Sequence, residues 1–227
     1  MKLALKIVLV VMLLSFGLYY LTMDSGQRPA RVLAPWQIQV DSPDQVKVMG
    51  VTLGQTTLEQ LRQRFGQVEG IALFQNPDGR YSLEAYLGKV NLGPLSGRWI
   101  VTLAASQAEL EALTRRSIKR IKTENGSIRW TLKPDAQAEQ ADRAIATLTM
   151  IPGYSGMDAD FLRSRFGEPT EVLEVDEDSE QWLYPDRGLR ILLDRKGKEM
   201  FEYMTPAMMQ QSRQPAAHTG PAAEEKS

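Results

Sequence analysis

The first apolar feature of the chain is also its longest. Ile7 to Met23 reads IVLVVMLLSFGLYYLTM, 17 residues without a charge, and Leu3 to Leu5 extend it beyond Lys6. A bilayer core takes about 20 residues of helix, and a lysine near the end can reach the headgroups, so this pattern predicts a transmembrane anchor over residues 1–23. Lys2, Lys6 and the N-terminal amine put positive charge on the leading side, which predicts a cytoplasmic N-terminus and an extracytoplasmic, periplasm-facing domain at the inner membrane. The competing reading is a cleaved signal peptide, but Tyr19 to Met23 are mostly too bulky for a cleavage site and only Ser15-Phe16-Gly17 has the right small residues. A third reading is a cytosolic helix buried in a core.

Beyond the anchor the periodicity changes. Pro29, Pro35, Pro43 and Gly26 interrupt residues 24–45, which reads as an extended linker. Leu58, Leu61 and Phe65 then recur on one helical face, with a polar cap at Thr56 or Thr57 and a stop at Gly66. The same text returns 101 residues later: Leu61-Arg62-Gln63-Arg64-Phe65-Gly66 is matched by Leu162-Arg163-Ser164-Arg165-Phe166-Gly167 at five of six positions. Gly54 precedes the first copy, and Gly156 and Asp158 precede the second. After each helix the pattern turns to short strands. They are expected at Ile71–Phe74, Arg80–Val90 and Trp99–Leu103, and again at Glu171–Val175, Gln181–Tyr184, Leu189–Leu193 and Glu199–Met204. Arg195-Lys196-Gly197 marks a turn. Between the copies, Ala108–Ile121 and Asp135–Leu148 read as helices flanking a strand at Ile128–Leu132, and residues 207–227, rich in Pro, Ala and Gln, read as a disordered tail. The fold class expected is α+β: two tandem helix-plus-antiparallel-sheet units, 46–134 and 135–206, behind one transmembrane helix.

Composition removes whole classes of chemistry. There is no cysteine, so no disulfide, thiolate ligand, thiol nucleophile or lipidated cysteine exists in this sequence. The single histidine, His218, lies in the tail, which leaves no Ser-His-Asp or histidine-metal constellation in the folded part. No metal and no cofactor is expected. With Lys2 and Lys6 set aside, 25 basic face 28 acidic groups, a balance unlike that of nucleic-acid-binding domains.

Three groups of residues remain as candidates. Arg115, Arg116, Lys119, Arg120 and Lys122 place five positive charges within eight residues, on a segment read as an amphipathic helix able to lie against anionic lipid or an acidic partner. The plainer alternative is a solvated helix face. Trp182, Tyr184 and Tyr203 carry the amphipathic rings that dominate binding hot spots, against the alternative that they pack in the core, a choice that applies equally to Trp99 and Trp130. Glu171, Glu174, Asp176, Glu177, Asp178 and Glu180 form an acidic run that reads as a solvated hairpin turn, an acidic docking surface or, without EF-hand spacing, a weak calcium site. A carboxylate-based hydrolase would need only two acids, and Asp158, Asp160 and Glu168 lie near one helix, although Asp158 reads equally as an N-cap and Glu168 as a turn residue.

The second copy carries a resemblance. Phe166-Gly167-Glu168-Pro169, Trp182-Leu183-Tyr184 and Gly188-Leu189-Arg190-Ile191-Leu192-Leu193-Asp194 resemble the small outer-membrane assembly lipoproteins of the SmpA/OmlA type, and the tandem arrangement is similar to that of beta-lactamase inhibitor proteins. The first copy matches through its helix and Phe65-Gly66, and the lipobox cysteine of the lipoproteins is missing. The resemblance implies a non-enzymatic module that contacts proteins or lipid headgroups. The resulting expectation is a membrane-anchored periplasmic adaptor of a cell-envelope complex, with an anionic-lipid-contacting module and a carboxylate hydrolase as alternatives.

Overall fold

A computed structural model describes residues 33–66, 68–124, 126–154, 157–194 and 199–213. The anchor at 7–23, Gly156, the turn Arg195-Lys196-Gly197 and His218 lie outside the described residues. Residues 33–213 belong to one compact unit.

The protein is mostly β, which corrects the expected α+β class. A ten-stranded antiparallel sheet runs through both copies of the repeated motif. In chain order, β1 (Gln39–Ser42), β2 (Gln45–Val48) and β3 (Val51–Thr52) form a separate three-stranded sheet, followed by helix α1 (Leu58–Phe65). The large sheet takes β4 (Gly70–Gln75), β5 (Tyr81–Leu92) and β6 (Leu95–Leu103) as a meander. The chain then leaves through α2 (Gln107–Leu113) to β7 (Ser117–Lys122) and β8 (Ile128–Leu132), and returns through α3 (Pro134–Ala138) as β9 (Ile145–Pro152). After α4 (Ala159–Phe166) come β10 (Glu171–Glu174), β11 (Ser179–Tyr184), β12 (Leu189–Asp194) and β13 (Met200–Tyr203), closed by α5 (Pro206–Arg213).

The strand order is β10-β11-β12-β13-β9-β6-β5-β4-β8-β7. Each half thus holds four strands that run inward to a central antiparallel seam, where Phe201, Glu202 and Tyr203 face Met150, Thr149 and Leu148. The strands β7 and β8 are an addition to the outside of the first half.

Several expectations fail for physical reasons. The helix expected over Ala108–Ile121 stops at Leu113, where the Thr114 hydroxyl bonds the Glu111 carbonyl at 2.6 Å. Beyond it Ser117-Ile118-Lys119-Arg120-Ile121-Lys122 contains the β-branched Ile118 and Ile121 and pairs with β8. The helix expected over Asp135–Leu148 shrinks to α3, because Ile145, Thr147 and Thr149 favour a strand and the seam between the halves needs one. The linker expected at residues 24–45 is, from 33 on, part of the fold: Ala34 is buried, Trp36 meets Phe161 edge-on at 6.0 Å, and the Tyr203 hydroxyl donates to Pro35 O at 3.0 Å. The tail expected to be disordered begins with α5, which buries Met209.

Among the described residues no helix is long and apolar enough to cross a membrane. The expected transmembrane helix, signal-anchor and inner-membrane, single-pass placement are thus not borne out in the described residues, which do not include the segment 7–23.

Cross-strand partners in an antiparallel sheet point to the same face. One row runs Trp99, Met150, Phe201, Ile191 and Trp182, and the next runs Val101, Leu148, Tyr203, Leu189 and Tyr184. Both rows are buried, and both belong to a single core with α1, α2, α4 and the valines of β2 and β3. Every residue that the large sheet contributes to that core lies on this one face. The opposite face carries the row Tyr86, Ile100, Thr149, Glu202 and Arg190, none of which belongs to the core. The sheet is therefore packed on one side and partly wetted on the other, where Ala72, Thr147 and Leu183 are still buried.

Candidate interaction edges

The tryptophan and tyrosines singled out in the sequence are packing residues. Trp182 and Tyr203 are fully buried and Tyr184 is 4% exposed, so no partner can reach them. The Arg163 guanidinium lies 4.8 Å from the Trp182 ring centroid, and the Tyr184 hydroxyl donates to the Gly167 carbonyl at 3.0 Å, tying β11 to the end of α4. Burial pushes the Tyr184 hydroxyl up to about 12 and the Tyr203 hydroxyl well above its ordinary value. Trp99 is likewise in the core, and Trp130 packs against it from β8.

The acids considered for hydrolysis are occupied structurally. Asp158 caps α4, accepting from the Phe161 amide at 2.8 Å, while Asp160 and Glu168 both bridge to Arg163, at 3.5 and 3.3 Å. The acidic turn of Asp176, Glu177 and Asp178, with Ser179 and Asp194, lines a shallow open hollow. No group of three or more candidate ligands that could hold a metal occurs among the described residues.

The wetted face has one unusual group. Glu84 accepts from the Tyr86 hydroxyl at 3.2 Å and from the Ser82 hydroxyl at 3.3 Å. Burial among its neighbours raises its carboxyl above the ordinary range, the two hydroxyls partly offset that, and the charge of Glu202 adds to the rise. Burial also lifts the Tyr86 hydroxyl, to about 12. Glu202 itself bridges to Arg190 at 3.1 Å. Neither Glu84 nor its neighbours stood out in the sequence, because only the register of β5 against β6 and β9 brings them into one environment.

The five basic residues separate into two groups. Arg116 is clamped by Asp135, at 2.9 Å, and by Glu139, which together raise its pKa. Arg115, Lys119, Arg120 and Lys122 are exposed, and the last three lie on β7, a strand at the rim of the sheet instead of an amphipathic helix. The Arg120 guanidinium stacks 5.1 Å from the centroid of Trp130, which holds it on the core-side face of the rim. Between the charges Ile118 is 65% exposed and Ile121 is 40% exposed.

The opposite rim has the same construction with the other sign. β10 reads Glu171-Val172-Leu173-Glu174 and continues into Val175 and the acidic turn. Val172, Leu173 and Val175 are all exposed, Val175 at 56%. Glu174 faces Glu180 directly across the β10–β11 pair, an arrangement of like charges that costs stability unless a cation lies nearby. Among the described residues no strand pairs on the outer side of β7 or β10.

No protein-family model, curated protein or solved structure gives a significant match to this chain. The resemblance to SmpA/OmlA-type lipoproteins and beta-lactamase inhibitor proteins therefore rests on its own quoted residues alone.

Proposed function

We propose that this protein is a non-catalytic binding module that engages extended polypeptide through the open rims of its sheet. The observation that supports the reading is the pair of edge strands, each unpaired on its outer side among the described residues and each presenting exposed branched apolar side chains between charges of one sign. An extended peptide added to such an edge gains main-chain hydrogen bonds for affinity and side-chain contacts for selectivity. The charges on both strands and the shortness of β10 guard these edges against indiscriminate pairing, while the exposed Ile118, Ile121, Val172, Leu173 and Val175 between the charges leave a surface for a partner of opposite sign. A hydrolase reading is weaker, since Asp158 serves as a helix cap and Asp160 and Glu168 are held in ion pairs with Arg163. Lipid contact is weaker too, since the basic segment is not the amphipathic helix that reading needs.

The test is titration with short designed peptides, followed by backbone amide shifts and exchange. An alternating Glu/Val peptide should perturb and protect the amides of β7, and an alternating Lys/Val peptide those of β10. Both effects should weaken with salt, as the screening length falls from about 10 Å at 0.1 M to about 3 Å at 1 M. Failure of both peptides to reach their rims, or turnover of a substrate by the purified protein, would overturn the reading.

A further inference from the structure

The two open rims of this sheet match each other, and we propose that they join copies of this chain head to tail: β7 of one copy pairs with β10 of the next. The inference rests on the rim-binding reading above and names the partner as a second copy.

Strand parity comes first. The sheet has ten strands and all nine neighbouring pairs are antiparallel, so β7 and β10 of one chain point in opposite directions. A second copy set beside the first without being turned over therefore presents its β10 antiparallel to β7. Its core-side face also stays aligned with that of the first copy. An odd number of strands would have offered a parallel edge instead.

Charge then selects this contact over the symmetric ones. A two-fold dimer through β7 would set Lys119, Arg120 and Lys122 against themselves, and one through β10 would oppose Glu171 and Glu174 to their own copies. Like charges directly opposite in a sheet are destabilising and opposite charges stabilising. Only the heterologous pairing of basic rim with acidic rim avoids repulsion in both partners.

The faces agree as well. Arg120 shares the core-side face with Trp130, and Glu174 shares it with Val172, which is opposite Trp182. Ile121 and Leu173 both lie on the wetted face. An antiparallel register that sets Arg120 opposite Glu174 consequently sets Ile121 opposite Leu173. It places a cation beside the otherwise repelling Glu174 and Glu180, and it covers two exposed apolar side chains. Because the contact uses two different surfaces, it leaves one rim of each kind open at the ends, so growth continues past the dimer unless a ring closes.

The experiment is sedimentation velocity on the full chain over a range of concentration and salt, with charge-reversal variants. The wild type should associate beyond dimers at low salt and dissociate as salt rises. In that register Arg120→Glu sets acid opposite acid at positions 120 and 174, and Glu174→Lys sets base opposite base, so each variant alone should self-associate about tenfold more weakly. An equimolar mixture of the two variants should recover association, because position 120 of each variant again meets an opposite charge at position 174 of the other. The double variant carrying both reversals should recover it alone. A folding defect cannot produce either recovery, and association driven by residues 1–32 would ignore all of these changes. A wild type that stays monomeric at low salt, or single variants that associate as the wild type does, would overturn the proposal. If the designed peptides still bind their rims in that case, the rim-binding reading stands with a different polypeptide as partner; if they do not, both fall.

Discussion

The two halves of the large sheet start from nearly the same six residues and anchor them differently. In the first half Phe65 is only partly buried, its ring 4.9 Å from Trp99 and 5.2 Å beneath the Arg64 guanidinium. In the second half Phe166 is 1% exposed and touches both Tyr184, at 6.2 Å, and Phe201, at 5.6 Å. The helix cap differs too: Thr57 makes a reciprocal capping box with Gln60, whereas Asp158 makes a single bond to the Phe161 amide. The first half also carries β7 and β8 on its outside, and the second ends bare at β10. A repeated sequence thus fixes a repeated element, while its neighbours decide how much that element contributes.

The sharpest break in the comparison is at a turn that both halves share. Gly93 follows the second strand of the first half and Gly188 follows the second strand of the other, both with positive φ, +72° and +59°. A Cβ at Gly93 would meet nothing within 4 Å, whereas one at Gly188 would lie 2.0 Å from the Met204 carbonyl oxygen. Gly188→Ala should therefore cost roughly 4 kcal/mol from strain and overpacking together, and Gly93→Ala about 1 kcal/mol from backbone strain alone. Urea unfolding of the two variants measures both. Equal losses would mean that the second half is not the more tightly built one at this turn.

A slightly smaller effect separates the two phenylalanines. Removing a fully buried ring costs about 3–4 kcal/mol, while a partly buried ring at the end of a helix contributes about 1–2 kcal/mol. Phe166→Ala should accordingly lower stability two to three times as much as Phe65→Ala, in proportion to their burial. If Phe65→Ala proved the more damaging, the contact with Trp99 would outweigh the deeper burial of Phe166.

The same contrast shows what could be read from the sequence. The LRxRFG helices, their caps and their glycine stops were legible, because each is decided within eight residues. The strands of both meanders were legible from alternation. The length of the helices between the copies was not, since Ala108–Ile121 and Asp135–Leu148 each hold a helical start and a β-branched finish, and only the pairing of β7 with β8 and of β9 with β6 and β13 resolves where one gives way. Residues 33–45 were missed for a related reason. Three prolines suggested a linker over 24–45, yet Ala34 is buried, Trp36 closes over Phe161 and Gln39–Ser42 forms a strand. Of the candidate site, the signs of the two charge runs were in plain view. That they sit at opposite rims of one sheet is topology, which no local pattern contains.

The smallest effect probes whether the halves sense each other across their seam. Glu84 belongs to the first half and Glu202 to the second, and the Glu84 carboxyl is raised chiefly by burial and in lesser part by the charge of Glu202. A carboxyl raised on folding favours the native state below its ordinary pKa, and that contribution is lost as pH rises through the shifted value. Glu84→Gln removes the titration while its amide oxygen still accepts from Tyr86 and Ser82. The variant should therefore melt higher than the parent at neutral pH, and the gap should close below the ordinary carboxylate range. Glu202→Gln should act on the same curve more weakly, moving the Glu84 midpoint down, as carboxyl NMR would follow. A Glu84 midpoint that ignores Glu202→Gln would make the two halves electrically independent, and it would leave packing between Met150 and Phe201 as what couples them.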